Sequence, residues 1–244
     1  MPLTFAVLLF FVAGLSEVLR QGWVETDRLV ALSLVGCATL MAALIVLGRD
    51  VVHVIRAPGR RQYGVDRLGW SWQKTGTLCF AIPILVLVTV SCGAIFTSYY
   101  IHVPDWSALG WGLAVQILVV ALAQELFFRE AVLKIFGGAL PVAFGISTMA
   151  VALFHLPDGL PAAVMASGAA LAYMALRVAG MNILLVAAVH GGANVLFGRV
   201  LLPELAGDAL WTYAIVFAAG HALFAGLLVA LAQPTRAAAV PRAG

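Results

Sequence analysis

Polar residues in this chain fall in short interruptions between long apolar stretches. Eight of those stretches are long enough to cross a bilayer, at about 3–19, 29–48, 76–98, 107–128, 140–156, 160–176, 181–198 and 210–232. A span needs roughly 20 apolar residues at about 1.5 Å of rise each. Backbone groups in hydrocarbon must satisfy one another, and none of the stretches alternates as a half-buried strand would, so the pattern predicts helices. The expected fold is an all-α, polytopic membrane helix bundle of about eight transmembrane helices, one domain over residues 1–244 with no internal repeat. Residues 234–244, an Ala/Pro/Arg tail, read as disordered. The loop 49–75 predicts a short amphipathic surface helix, with Trp70 and Trp72 at the interface.

Composition sharpens the class. The chain is 63% hydrophobic and 10% charged, whereas soluble domains carry about 25% charged residues, and this excludes an ordinary soluble globule. The net charge of +3 would suggest nucleic acid in a soluble protein, but here the basic residues sit in loops, as membrane topology requires. Arg49, Arg56, Arg60, Arg61, Arg67 and Lys74 crowd one loop. Alternation of the spans puts Arg129, Lys134, Arg177, Arg236 and Arg242 on the same side, eleven of the fourteen basic residues. With that side cytoplasmic, both termini are cytoplasmic and the chain is an integral protein of, by expectation, a bacterial inner membrane. Met1 to Phe5 contain no Lys or Arg, so the first stretch reads as a retained span, not a cleaved signal. Trp106, Trp111 and Trp211 fall near span ends, as interfacial anchors do. Cys37, Cys79 and Cys92 lie in apolar runs without CxxC spacing and read as inert packing residues.

Against this background the sequence Gln124-Glu125-Leu126-Phe127-Phe128-Arg129 stands out. Ionisable groups inside a membrane segment are costly and mark a functional site by default. His155, and His190 with Asn194 one turn later, punctuate the following spans. Depth can be counted from the expected turns near Gly137-Gly138 and Gly180. Glu125 lies about 18 Å from the first turn, His155 about 21 Å beyond it on the next helix, and His190 about 15 Å from the second. Three helices thus bring the groups to one level. Arg129 is at i+4 from Glu125 and Asn194 at i+4 from His190, so each pair shares a helix face.

A carboxylate and a histidine can deprotonate a water, and a second histidine with an asparagine can stabilise an oxyanion, the chemistry of peptide hydrolysis. Each group also has a plainer reading. Glu125–Arg129 can be a structural ion pair, a lone histidine a packing residue, and Asn194 glue between helices. Convergence at one depth favours the site.

In order and spacing these residues resemble the CAAX protease and bacteriocin-processing family of intramembrane glutamic endopeptidases. That family carries Glu-Glu-x-x-x-Arg, then Phe-x-x-x-His, then His-x-x-x-Asn/Asp. Here the corresponding residues are Gln124-Glu125-x-x-x-Arg129, Val151-x-x-x-His155 and His190-x-x-x-Asn194, over a core of residues 107–198. The resemblance implies that His155 and the first glutamate activate water, that His190 and Asn194 form the oxyanion hole, and that the second glutamate and Arg129 support the site. It implies no metal or cofactor. The substrate implied is a membrane-anchored peptide or protein tail, and the site is expected to open toward the cytoplasmic half of the bilayer.

Gln124 stands where the family has its first glutamate, and a glutamine takes no proton from water at neutral pH. Three explanations are open: Glu125 serves as the base, the chain binds without turnover, or Glu130 supplies the carboxylate. A non-catalytic scaffold or immunity protein is therefore the main alternative function. A lesser one is a rhomboid-like serine protease using Ser167, in Ala166-Ser167-Gly168, with His221.

Overall fold

The computed structural model describes residues 1–20, 28–56, 72–96, 99–102, 105–203, 205 and 207–232. Among them the helices run α1 (Pro2–Arg20), α2 (Arg28–Leu47), α3 (Asp50–Arg56), α4 (Trp72–Phe96), α5 (Trp106–Val115), α6 (Leu122–Glu125), α7 (Val132–Phe136), α8 (Leu140–His155), α9 (Leu160–Val178), α10 (Ile183–Val195) and α11 (Asp208–Ala232). The helices α5, α6 and α7 are one continuous rod, joined by two π-helical turns, Gln116–Ala121 and Leu126–Ala131. A third π-helical turn, Leu196–Val200, prolongs α10.

Seven of these helices are long and apolar enough to span a membrane, and α4 holds a shorter apolar stretch, Phe80–Cys92. The all-α polytopic bundle read from the sequence is therefore the fold. The helix of the fourth span runs on past the apolar stretch to Phe136, carrying Arg129, Glu130 and Lys134, and turns at Gly137-Gly138 as expected. One detail differs. Two three-residue strands, β1 (Tyr99–Ile101) and β2 (Leu201–Pro203), pair antiparallel, with Tyr99 opposite Pro203 and Ile101 opposite Leu201. Strands this short carry no readable alternation. Of the surface helix expected in the loop 49–75, α3 is present; Trp70 and the tail 234–244 lie outside the described residues.

Apolar side chains make two adjoining cores. The first gathers α1, α2, α8 and the Leu126–Ala131 turn around a ladder of aromatic rings: Phe5 on Phe127 at 4.9 Å, Phe127 on Phe128 at 5.2 Å, and Phe128 on Phe154 at 5.5 Å. The second joins α4, α9, α10 and α11 around Tyr173, Leu176, Val186 and Phe224. Between hydrocarbon-solvated helices no hydrophobic effect drives association, so close backbone approach matters most. At Gly168 in α9, a Cβ would lie 2.5 Å from Ala218 Cα of α11, so only glycine permits this contact. Cys92 is buried, but Cys37 is exposed on the outer face of α2 and so is not the core residue expected. Trp106, Trp111 and Trp211 are exposed near span ends.

One end of the bundle is tied by polar contacts. Lys134 Nζ donates to the carbonyls of Val46 and Leu47, at 3.0 and 2.9 Å, closing the C-terminus of α2. It also pairs with Asp50 at 2.9 Å, and this hydrogen bond and charge hold the Asp50 carboxyl below the usual carboxylate range. Asn182 Nδ2 donates to Ile55 O at 3.2 Å, fixing the start of α10 to α3 at the same end.

Candidate active site

The rod α5–α7 begins on a defined cap. Asp105 Oδ1 accepts from both Ser107 N and Ser107 Oγ at 2.8 Å, the first of these satisfying an orphan backbone donor of the first turn. No ionisable residue follows until Glu125. Gln124 and Glu125 form the end of α6, with a π-helical turn on either side. Such turns hydrogen-bond i→i+5 and recur at functional sites.

Glu125 is wholly buried and held from two sides. Its Oε1 accepts from His190 Nδ1 at 2.7 Å, and its Oε2 lies 3.1 Å from Arg129 Nε. The arginine contact is an ion pair without hydrogen-bond alignment, since Glu125 Oε2 and Arg129 Nε have no hydrogen-bond partner among the described residues. Tyr173 of α9 completes the group. Its ring stacks on His190 with centroids 4.8 Å apart, and Arg129 Cζ stands 5.7 Å from its centroid. His190 reaches this position because α10 lies directly against the Gln116–Ala121 turn: a Cβ on Gly191 would come within 2.9 Å of Ile117 Cα. The N-cap of α10 sets the helix start, Asn182 Oδ1 accepting from Leu184 N at 2.8 Å.

A cavity of about 690 Å³ opens beside this group. Gln124, Arg129, His155, Tyr173, His190 and Asn194 all line it, whereas Glu125 does not. The five other sequence-predicted site residues therefore face one space, and Glu125 stands behind Arg129 and His190. His155 ends α8 and is half-buried, with Nδ1 3.1 Å from Asp158 Oδ2. Its hydrogen bond goes to Asp158 and not to Glu125. Leu205 and Tyr213 also line the cavity. With His155, at the end of α8, they place it toward the end of the bundle away from α3.

Glu130 does not face the cavity. It is fully buried in an ion pair with Arg177 Nε, and Arg177 Nη1 donates to Met181 O at 2.9 Å. Ser167 and His221 do not form a dyad in this structure. Ser167 Oγ donates to Val164 O at 2.7 Å, while His221 bonds to Phe217 O and Thr89.

Residues 106–196 match the family model for Type II CAAX prenyl endopeptidase Rce1-like proteins. Over those residues the chain is similar to the Rce1-like family. The match begins with the first residue of α5 and ends just past α10, so it takes in Gln124, Glu125, Arg129, His155, Tyr173, His190 and Asn194. No curated protein and no solved structure matches the chain. That similarity supports an intramembrane CAAX-type protease at the level of the family.

Sequence reasoning missed two members of this site. Tyr173 looked like one more apolar-run residue, although its bulk on the small-residue helix α9 (Ala166, Gly168, Ala169, Ala170, Ala172) was a readable signal. Asp158, three residues after His155, falls in the α8–α9 turn, among residues with no membrane-depth signal of their own.

Proposed function

We propose that the chain is an intramembrane endopeptidase of membrane-anchored peptides in which His190, backed by Glu125, is the general base. The 2.7 Å contact between His190 Nδ1 and Glu125 Oε1 carries this reading. An Nδ1–H donated to the carboxylate fixes the tautomer and leaves the Nε2 lone pair as the base. Water attacks the scissile carbonyl carbon as Nε2 takes its proton. The oxyanion accepts from the carboxamides of Gln124 and Asn194, both at the cavity wall. The imidazolium, steadied by Glu125, then protonates the leaving nitrogen, and the C–N bond breaks. His155 with Asp158 stands at the cavity wall as a second polar contact for the substrate. In this scheme Gln124 is a donor, so a carboxylate at that position is not required.

A binding-only scaffold is the second reading. The observation favouring it is that Gln124, not Glu125, is the residue exposed to the cavity. The two readings separate in one experiment: cleavage of membrane-anchored peptides by the natural chain and by Gln124→Glu, in lipid nanodiscs. Turnover by the natural chain, retained within about tenfold after His155→Ala and lost by about 10²-fold or more after His190→Ala, is expected. No turnover by the natural chain with gain of cleavage by Gln124→Glu would establish the scaffold.

Orientation follows the positive-inside pattern, with the loop 49–75 cytoplasmic. The cavity lies toward the other end, so it opens in the outer half of the bilayer, against the cytoplasmic opening expected from the resemblance. A cysteine placed at Asp208, in a chain whose three native cysteines are alanine, is expected to react with a membrane-impermeant maleimide added to intact cells. Protection until the cells are permeabilised reverses the orientation.

A further inference from the structure

The Gln116–Ala121 turn is gripped at its backbone from two flanks. On one, a Cβ on Gly36 of α2 would lie 2.7 Å from Val119 O and 3.2 Å from Val119 C. On the other, a Cβ on Gly191 of α10 would lie 2.9 Å from Ile117 Cα and 3.0 Å from Gln116 C. Residues two apart on a helix point about 200° apart, so the two contacts fall on nearly opposite sides of the turn. Both meet backbone, which cannot swing aside as a side chain can. The two jaws are also tied to each other. Lys134 holds the end of α2 through Val46 O and Leu47 O, α3 follows at Asp50, and Asn182 at the start of α10 donates to Ile55 O of α3.

A π-helical turn carries one residue more than an α-helical turn. If that extra residue passed to the far side of Leu122–Glu125, each residue of the segment would take the place its successor holds now. Gln124 would leave the cavity wall for the buried position of Glu125. Ala123 would face the cavity in its stead, and Glu125 would lose His190. Both registers are continuous helices, so local hydrogen bonding does little to choose between them. Packing has to choose. We propose that Gly36 and Gly191 are positioning residues of the site. Their missing side chains let α2 and α10 close on the turn, and the closed jaws keep its extra residue upstream of Gln124. Gly36 lies outside the matched residues 106–196, on a helix that carries none of the site's polar groups. The lock is the same whether or not the chain cleaves.

Thiol accessibility tests it. Gln124→Cys and Ala123→Cys are made singly in a chain whose native cysteines are alanine. Each is placed in nanodiscs, and its reaction with methyl methanethiosulfonate is followed by mass. With both glycines present, the Gln124→Cys chain is expected to react, and the Ala123→Cys chain, at a position 1% exposed, to be protected. Adding Gly36→Ala or Gly191→Ala should slow the first by about tenfold or more and speed the second by as much, as access to the thiol changes. A bundle that merely loosened would speed both. Deleting Leu118, an exposed residue of the turn, from the Gly36→Ala chain removes the extra residue itself and should return the Gln124→Cys rate to its starting value. Gly110→Ala, in the same rod where an added Cβ meets nothing within 4 Å, should leave both rates unchanged. Unchanged rates in the Gly36 and Gly191 variants overturn the assignment, as do two rates that rise together. Protection of the Gln124→Cys chain with both glycines present overturns it as well. So does a Gly36→Ala chain that fails to fold and is not restored by the deletion, since the glycine then serves the bundle and not the turn.

Discussion

Glu125→Gln is expected to lower peptide cleavage by about 10²–10⁴-fold, the usual contribution of positioned acid–base catalysis. The substitution preserves shape and removes charge. His190 Nδ1–H then faces a carboxamide that can present either its oxygen or its NH₂, so the tautomer with a basic Nε2 is no longer enforced. The imidazolium formed during attack also loses the carboxylate that stabilises it. Arg129 is affected as well, because Glu125 is its ion-pair partner at 3.1 Å and both are buried. A Glu125→Gln, Arg129→Met chain therefore serves as the control, since it removes the unpaired cation but not the catalytic defect. Single-turnover rates per mole of folded protein are the measurement. Cleavage within about tenfold of the natural chain would show that Glu125 does not act through the base.

Glu130→Ala is expected to destabilise the bundle by about 3–5 kcal/mol, because Arg177 is left as an uncompensated buried charge. Both side chains are essentially inaccessible, and they join the Leu126–Ala131 turn to the end of α9. Arg177 keeps its bond to Met181 O, which anchors the guanidinium where it cannot reach water. Replacing the pair together, Glu130→Leu with Arg177→Met, is expected to recover most of the loss, as apolar replacement of a buried ion pair often does. Reversible unfolding in mixed micelles checks the series. A double variant no more stable than either single one would mean that the pair contributes more than charge compensation.

Much of this molecule was legible as a hydropathy pattern, for a physical reason. A helix in lipid must be long, apolar and internally hydrogen-bonded, so its ends are marked by composition. The turn after Phe136 and the start of α8 at Leu140 follow from Gly137-Gly138 and Pro141. Depth counting along α8 and α10 put His155, His190 and Asn194 at one level with the Gln124–Glu125 pair, and all but Glu125 line the cavity. What was not legible depends on side-chain direction. Neighbouring residues on a helix point about 100° apart, so one of Gln124 and Glu125 had to turn from the cavity. Nothing in the two letters says which. The pairing of Glu130 with Arg177, forty-seven residues on, is likewise a tertiary fact that no local pattern encodes.

The π-helical turns on either side of Gln124–Glu125 have a consequence for how such a chain can change over generations. An i→i+5 turn is an α-helical turn with one residue inserted. The central rod thus contains two places where a residue can be gained or lost while the helix continues to its anchored ends at Asp105 and Lys134. Each such event rotates the short segment Leu122–Glu125 relative to the rest of the rod. The polar pair is therefore mounted on an adjustable collar, and which of its two side chains meets the cavity can be reset by the length of the flanking sequence as well as by the identity of either residue.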